Sequence, residues 1–422
     1  MQSLLQHKVI VRKLKNGVTL LLEPLPAFST VSLAFFNRFG SRDENENEAG
    51  YSHFIEHMLF KGNEKYTKDF LSSKFDEMGG YINAYTSKEE VCIYNTIPNY
   101  YMEDSIHLIE QMFNRSLLAD NELASEKGVI LNELNSTLED PQEKLWEDFF
   151  ANLFLDCGLG HPIIGYEQII QDITREKLMT FYHKNFTANK LIISIAGNFK
   201  PDEVTNLIED LSFRTSYDCI ENKKPLRLSS EKFGFTRMQA EHIHVLTGSV
   251  IQQNSFEFSL LTSLLSVLLG DSFSSRLFKK VRDELGLCYT ITTSTDGFRD
   301  EYLFSIYFSV EQSKYDKAIE AVNGVICDLL EHGLKDGELE KIKKQRIGEI
   351  LLSNDNLSRK MNSNISYHLL TDSKMNKQKS IEFIENVSEE DIMKLAREFL
   401  NSEKMYTHVL YKKKVDQPKW TF

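Results

Sequence analysis

Cysteine is scarce in this 422-residue chain, and the pattern of its cysteines excludes two uses of them. The five cysteines are an odd number, lie far apart and include no C-x-x-C pair. This argues against a disulfide framework and against a zinc site built from thiolates. It is typical of a protein from a reducing compartment, and we therefore expect a cytoplasmic location.

Long apolar runs are also missing. The most apolar stretch, residues 256–269, contains Glu257 and several hydroxyl side chains, and it is too short to cross a bilayer. At the N-terminus, the polar residues Gln6, His7 and Lys8 directly follow Leu4 and Leu5, a pattern that does not resemble a secretory signal. We therefore expect no membrane partner.

Positive charge is in deficit, with 49 basic against 62 acidic residues, a formal net charge of −13 and a pI near 5.4. A nucleic-acid partner is therefore not expected, whereas an acidic cavity would attract basic peptides. The length is sufficient for two or three domains.

A short histidine-rich stretch organises the rest of the chain. Residues 52–62 read S-H-F-I-E-H-M-L-F-K-G. On a helix, His57 lies about 40° around the axis from His53 and Glu56 lies about 60° to the other side, so the three side chains share one face. Imidazoles four residues apart can bind zinc, a nearby carboxylate can take a proton from water, and the order H-x-x-E-H is the inverzincin signature. The alternative is a pair of surface histidines on an amphipathic helix.

A catalytic zinc site with two histidines needs one more protein ligand, which we expect on another element. Glu126 and Glu133 lie seven residues apart in a predicted helix over residues 121–138, so both fall on one helical face. From spacing alone either could be the ligand, and both could equally be solvated surface glutamates.

The order of predicted elements repeats along the chain. The segment 173–179 is echoed by 387–393, 214 positions later, and each leads through a helix to a strand, near 191–196 and 405–411. This pattern predicts an α+β protein with two duplicated α/β-sandwich domains, each an antiparallel-rich sheet covered by helices. We place the catalytic domain at 1–215, a polar linker at 216–235 and the repeat domain at 236–422. The alternative is two unrelated helix-then-strand endings.

Residues 40–62 resemble the pitrilysin family of inverzincin zinc peptidases, which includes insulin-degrading enzyme and the mitochondrial processing peptidase. The length is similar to that of the short, two-domain processing-peptidase branch. The family's third zinc ligand is a glutamate in a later helix of pattern E-x-x-V-I-x-x-E, which residues 126–133 match. The resemblance implies that Glu133 is the third ligand, 76 positions after His57, and that Glu126 holds a ligand in place.

The same resemblance assigns residues that would handle substrate. Asn83, Ala84 and Tyr85 look like the family's edge strand, to which the substrate backbone adds as a further β-strand. Arg282 and Tyr289 match an R-x6-Y segment in which the arginine holds the substrate backbone and the tyrosine hydroxyl stabilises the oxyanion.

These observations predict a zinc metalloendopeptidase that cleaves unstructured peptides, with one zinc per chain and Glu56 as general base. One alternative is a catalytically idle structural or regulatory subunit of the same fold in a heterodimeric peptidase. Another is a metal-binding or chaperone-like module. The resemblance also implies that the chain forms half of a closed chamber, so we expect a homodimer, with a heterodimer as the other possibility. The peptide substrate and the pathway stay open.

Overall fold

The computed structural model describes residues 8–155, 158–215 and 226–422. The chain divides into two compact units, each built around one mixed sheet. The first unit comprises Met1–Ser136, Asp156–Leu226 and Ser353–Met375, and the second comprises Thr137–Leu155, Arg227–Leu352 and Asn376–Phe422. The predicted class, α+β with two domains that each carry a sheet covered by helices, is confirmed.

The strands of the described residues follow the predicted alternation of short apolar segments and turns. In chain order they are β1 (Ile10–Lys13), β2 (Thr19–Pro24), β3 (Thr30–Asn37), β4 (Tyr81–Thr86), β5 (Val91–Pro98), β6 (Phe154–Leu155), β7 (Leu191–Gly197), β8 (Arg227–Leu228), β9 (Phe233–Arg237), β10 (Ile243–Ile251), β11 (Cys288–Gly297), β12 (Tyr302–Val310) and β13 (Tyr406–Tyr411). Gly17, with φ +96°, makes the turn of the predicted hairpin between β1 and β2.

Helices connect these strands, with a π-helical segment at Phe278–Glu284. In chain order the α-helices are α1 (Tyr51–Leu59), α2 (Lys68–Glu77), α3 (Met102–Arg115), α4 (Asp120–Glu139), α5 (Pro141–Leu153), α6 (Glu167–Asp172), α7 (Arg175–Asn185), α8 (Pro201–Glu209), α9 (Phe256–Leu269), α10 (Tyr315–His332), α11 (Glu338–Ser353), α12 (Leu357–Thr371), α13 (Lys377–Asn386) and α14 (Glu389–Phe399). Among them, no helix combines the length and the apolar character that crossing a membrane requires.

The two larger sheets have matching strand orders, and β6 and β8 pair in a separate two-stranded sheet. The first sheet runs β1-β2-β7-β3-β5-β4, and the second runs β9-β13-β10-β12-β11 when read in the same direction. In each larger sheet one pair of strands is parallel, β2 with β7 and β9 with β13, and the other pairs are antiparallel. The internal repeat read from the sequence therefore corresponds to a repeated sheet topology.

The first sheet has an apolar core on each of its faces. Alternate residues of a strand point to opposite sides, so one strand contributes to both cores. Leu20 and Leu22 of β2 belong to the core that packs on α1, α3, α4 and α7. Leu21, between them, belongs to a second core on the other face, which is covered by Met361 and Ile365 of α12. The second face thus depends on a helix from the C-terminal half of the sequence.

Helices α5 and α12 each pack in the unit that is built mostly from the other half of the chain. Within the second unit, α5 packs on β9, β10 and β13, and Phe149 lies 5.4 Å from the ring of Tyr406. The predicted bounds 1–215 and 236–422 do not describe this exchange. Its physical reason is that each sheet has an apolar second face, and burial rewards any helix that covers it, whatever its sequence distance.

The predicted linker at 216–235 is described only in part. Residues 216–225 lie outside the described residues, and β8 and the beginning of β9 occupy part of the remainder. Cys92, Cys288 and Cys327 are free thiols, whereas Cys157 and Cys219 lie outside the described residues.

Candidate metal centre

Helix α1 presents the histidine motif because its other face is fixed in the core. Phe54, Ile55 and Met58 are fully buried against the first sheet and its helices. Because the motif repeats at helical spacing, this packing leaves His53 and His57 together on the side that faces α4. Their ring centroids lie 4.6 Å apart.

The beginning of α1 is held by a carboxylate that the sequence analysis missed. Glu44 accepts hydrogen bonds from the backbone N–H groups of Gly50, at 2.7 Å, and Ser52, at 2.6 Å. These donors have no intrahelical acceptor, so the side chain of Glu44 satisfies backbone groups that the helix leaves unpaired. Burial raises the pKa of Glu44 to about 8, although the hydrogen bonds from Ser52 and Gly50 oppose this shift. The acidic run before the helix was the available signal. Gly50 is required here, because its φ is +94° and a Cβ would lie 2.4 Å from the carbonyl oxygen of Ile164.

Three candidate ligands converge between α1 and α4. Nε2 of His53 lies 3.7 Å from Oε1 of Glu133, and Nε2 of His57 lies 3.5 Å from Oε2 of the same carboxylate. One ligand atom from each residue can be chosen so that all three lie within 4.8 Å of one another. Ligands at about 2.0–2.1 Å from a tetrahedral zinc stand roughly 3.4 Å apart. Two imidazoles and a carboxylate at these separations fit a zinc ion.

The orientation of His57 is fixed from behind by Glu126. Nδ1 of His57 donates to Oε1 of Glu126 at 2.8 Å, so Nε2 is the ring nitrogen that faces Glu133. Nδ1 of His53 is buried with no hydrogen-bond partner among the described residues. Its Nε2 is thus the nitrogen directed at the cluster.

The geometry separates two glutamates that spacing alone left equivalent. Glu133 lies beside both imidazoles, whereas Glu126 lies on the far side of His57 and is buried. The other oxygen of Glu126 pairs with Nζ of Lys61 at 2.7 Å. Sequence analysis gave Lys61 no role, although it belongs to the same eleven-residue stretch.

The electrostatic setting of the two histidines differs. Burial, together with the neighbouring His57, lowers the pKa of His53 to about 4. Burial alone would also lower the pKa of His57, but its hydrogen bonds to Glu133 and Glu126 raise that pKa to about 8. The hydrogen bond from His57 lowers the pKa of Glu133, so this carboxylate is ionised at neutral pH. One neutral imidazole and one carboxylate are therefore ready to bind a cation, and His57 must first lose a proton.

Glu56 is placed as a candidate proton acceptor on the same helix. Burial raises the pKa of its carboxyl group, an effect that His57 and a hydrogen bond from Thr86 partly offset. Oγ1 of Thr86 donates to Oε2 of Glu56 at 3.3 Å. Thr86 closes β4, and nothing in its spacing from the histidine motif could have predicted this contact.

Asn83, Ala84 and Tyr85 lie on β4, the outermost strand of the first sheet. Its outer edge has no neighbouring strand in the part of the chain that the structure describes. Helix α1 packs on this strand, so the unpaired edge and the histidine cluster belong to one region of the first unit. An edge of this kind can accept an extended peptide.

Arg282 and Tyr289 belong to the second unit, at the π-helical segment and at the beginning of β11. The guanidinium carbon of Arg282 lies 5.0 Å from the ring centroid of Tyr289, and the side chain of Phe278 packs on the same cation at 4.5 Å. Tyr289 is 79% exposed. The structure brings these two residues together with each other, and their roles toward substrate stay a prediction.

Comparison with known protein families gives two matches along the chain. Residues 19–166 match the family described as insulinase (peptidase family M16), and residues 172–346 match the family described as peptidase M16 inactive domain. Together the two matches cover more than half of the chain. The histidine motif and both glutamates of α4 fall in the first match, and Arg282 and Tyr289 fall in the second.

Two similar proteins span nearly the whole chain. A Rickettsia felis protein described as an uncharacterized zinc protease is 28% identical over 393 residues, which cover 93% of this chain and 95% of that protein. The Bacillus subtilis protein YmxG, described in the same words, is 28% identical over 394 residues, covering 92% and 95%.

Solved structures share the fold. A protease from Helicobacter pylori superimposes with a TM-score of 0.89 at 18% identity and covers 96% of this chain and 99% of its own. A structure from Pseudomonas fluorescens described as a peptidase M16 inactive domain gives a TM-score of 0.88 at 16% identity, covering 97% and 100%.

Proposed function

This chain belongs to the insulinase family of peptidases, peptidase family M16, and we propose that it is a zinc-dependent endopeptidase that cleaves unstructured peptides. The observation that carries the proposal is the convergence of His53, His57 and Glu133, with Glu56 on the same helix. Two imidazoles and one carboxylate form a catalytic zinc donor set, which leaves a position open for water or substrate. One zinc per chain follows, because the described residues contain one such cluster.

When bound, zinc supplies Lewis acidity, which lowers the pKa of water and polarises a peptide carbonyl. Glu56 takes the proton from the attacking water and returns it to the leaving amine. Its raised pKa suits both tasks, because a carboxyl group that ionises closer to neutral pH both accepts and releases a proton readily. Thr86 orients the carboxylate through its hydrogen bond.

The edge of β4 supports an extended peptide as substrate. A peptide added to this strand would satisfy its outer backbone groups and would lie close to α1. Folded proteins rarely offer a free extended segment, so we propose unstructured peptides. Arg282 would hold the substrate backbone, and the hydroxyl of Tyr289 would stabilise the oxyanion, as the family resemblance implies.

The alternative of a catalytically idle subunit is less well supported. An idle subunit has no physical need for a base, yet Glu56 lies half-buried on the same helix as the two histidines and is held by Thr86. The similar proteins described as zinc proteases also favour an active enzyme. We further propose a cytoplasmic homodimer whose two chains form the closed chamber.

Metal analysis and peptide digestion test this function together. The purified protein should contain one zinc per chain and should cleave a mixed peptide library, read by mass spectrometry. His57→Ala should lose zinc. Glu56→Gln should keep zinc but lose at least about 10²–10⁴-fold in cleavage rate, the range of general acid–base catalysis.

Wild-type cleavage by Glu56→Gln, with contaminating proteases excluded, would reject the assigned mechanism. Zinc-loaded wild-type protein that cleaves no peptide would favour the idle subunit. If cleavage appeared only on addition of a different chain, the active form would be a heterodimer.

A further inference from the structure

A chain of charged contacts runs from Lys61 through Glu126 to His57. Nζ of Lys61 lies 2.7 Å from Oε2 of Glu126, and Oε1 of the same carboxylate lies 2.8 Å from Nδ1 of His57. The Glu126 side chain is buried, and each of its two oxygens contacts one of these partners. Lys61 therefore lies one residue removed from a candidate zinc ligand.

Glu126 has a physical requirement for both contacts. A buried acceptor that loses its partner costs free energy, so each oxygen of the Glu126 carboxylate needs a donor. Without Lys61, Oε2 would lose its present donor, the carboxylate could rotate, and it would hold the ring of His57 less firmly. With Lys61 in place, the plane of the carboxylate is fixed at both oxygens.

The backbone fixes Lys61 at this distance. It lies four positions after His57, just beyond the end of α1, and its N–H group bonds to the carbonyl oxygen of Met58 at 3.1 Å. Gly62 follows with φ +106° and lets the chain turn away from the helix. The lysine side chain is thus directed from the end of the zinc-binding helix to α4.

We propose that Lys61 is a positioning residue of the metal centre, which holds the Glu126 carboxylate in the orientation that accepts the hydrogen bond from His57. The inference rests on the proposed zinc site. It goes further by assigning Lys61, rather than Glu126 alone, to the affinity of the site for zinc. Loss of a partner that orients a ligand costs about 10–100-fold in metal affinity.

The competing interpretation is that Lys61 and Glu126 form an ion pair with a purely structural role. Helix α4 takes part in a second ion pair that serves as a matched control. Lys68, at the beginning of α2, pairs with Glu122 of α4 at 3.3 Å, one turn before Glu126. Neither residue contacts a candidate ligand. Removal of this second pair should therefore leave zinc affinity unchanged.

The test measures zinc affinity of the full chain by competition with a chelator, and thermal unfolding of each metal-free variant confirms folding. Lys61→Met should weaken zinc binding about 10-fold or more. Lys61→Arg, which keeps the charge, should recover most of that loss, and Lys68→Met should stay within about 2-fold of wild type. Lys61→Gln replaces Lys61→Met if the latter fails to fold.

A double-mutant cycle distinguishes positioning from a general effect. If Lys61 acts through Glu126, Lys61→Met should add nothing to the loss caused by Glu126→Gln. Wild-type zinc affinity in folded Lys61→Met, or an undiminished effect in the Glu126→Gln background, would overturn the proposal. Wild-type protein that binds no zinc would instead refute the proposed function on which the inference rests.

Discussion

In both units a helix follows a central strand and packs on neighbouring strands of the same sheet: α1 comes after β3 and packs on β4 and β5, and α9 comes after β10 and packs on β11. Helix α1 carries His53, Glu56 and His57 on one side, whereas α9 contains no histidine and a single acidic residue, Glu257. Much of α9 is buried in the apolar core of the second unit. The same framework thus carries a candidate site in one unit and only core packing in the other, because chemistry depends on side chains that the fold itself does not require.

The exchanged helices give a second comparison at one matching position. Lys360 of α12 lies 216 positions after Lys144 of α5, and each is followed four residues later by a polar residue, Asn364 and Asp148. In the first unit Lys360 is 1% exposed and pairs with Glu23 of β2, itself 3% exposed, at 2.7 Å.

In the second unit the same location is less deeply buried and differently composed. Lys144 pairs with Asp148, which also accepts a hydrogen bond from Thr236 of β9 at 2.6 Å. Thr236 in turn contacts Nε2 of His408 at 3.0 Å, and Tyr406 contacts its Nδ1 at 3.1 Å. A buried ion pair in one unit therefore corresponds, in the other, to a less buried ion pair whose carboxylate joins a network of hydroxyls and an imidazole.

We expect the largest effect from a substitution that breaks the buried ion pair of the first unit. Lys360→Met should lower the free energy of unfolding by about 3–5 kcal/mol, because Glu23 would remain buried without its cation. Lys144→Met should cost only about 0–1 kcal/mol, because that pair is partly exposed and Asp148 keeps Thr236. Urea unfolding of the metal-free proteins measures both.

A rescue variant sharpens this comparison. Adding Glu23→Gln to Lys360→Met removes both charges and should recover part of the stability. Equal losses for Lys360→Met and Lys144→Met would show that the difference in burial does not separate the two units.

The next largest effect concerns the contribution of the second unit to catalysis. Tyr289→Phe should lower kcat by about 10²–10³-fold with little change in KM, because a hydroxyl that stabilises the oxyanion acts mainly in the transition state. Tyr100→Phe, an exposed tyrosine of the first unit, is the matched control and should leave both constants unchanged. An unchanged kcat in Tyr289→Phe would reduce the second unit to a scaffold.

The buried imidazole of His408 predicts that the stability of the fold depends on pH. Burial lowers the pKa of His408 to about 4, below its ordinary value near 6.5. The unfolded chain therefore binds the proton first, and the stability of the fold should fall as pH drops from about 6.5 to about 4, by roughly 1.4 kcal/mol per pH unit. His408→Gln cannot take up this proton and should show a shallower slope in unfolding experiments. The same slope in both proteins would contradict a neutral His408.

The smallest effect concerns zinc binding at the first unit. The pKa of His57 is raised to about 8, so below that pH the imidazole must release a proton before it can bind a metal. Apparent zinc affinity should consequently fall about tenfold for each pH unit between 8 and 6. Chelator competition across this range measures it, and a flat profile would show that His57 binds without losing a proton.

The sequence alone was sufficient for the local features of the site. Helical spacing placed His53, Glu56 and His57 on one face, and the resemblance selected Glu133 over Glu126 before the structure separated them. The repeat of elements predicted two domains of one class, because hydrophobic period and turn residues act over short distances. These features depend on neighbours in the chain.

Contacts between distant segments were decided only by the tertiary structure. Thr86 beside Glu56 and Lys61 on Glu126 each join segments whose pairing no local pattern specifies. The exchange of α5 and α12 is of the same kind: their amphipathic patterns require an apolar surface but do not say which sheet provides it. Packing and the pairing of buried charges make that choice, and both act between residues that meet only after folding.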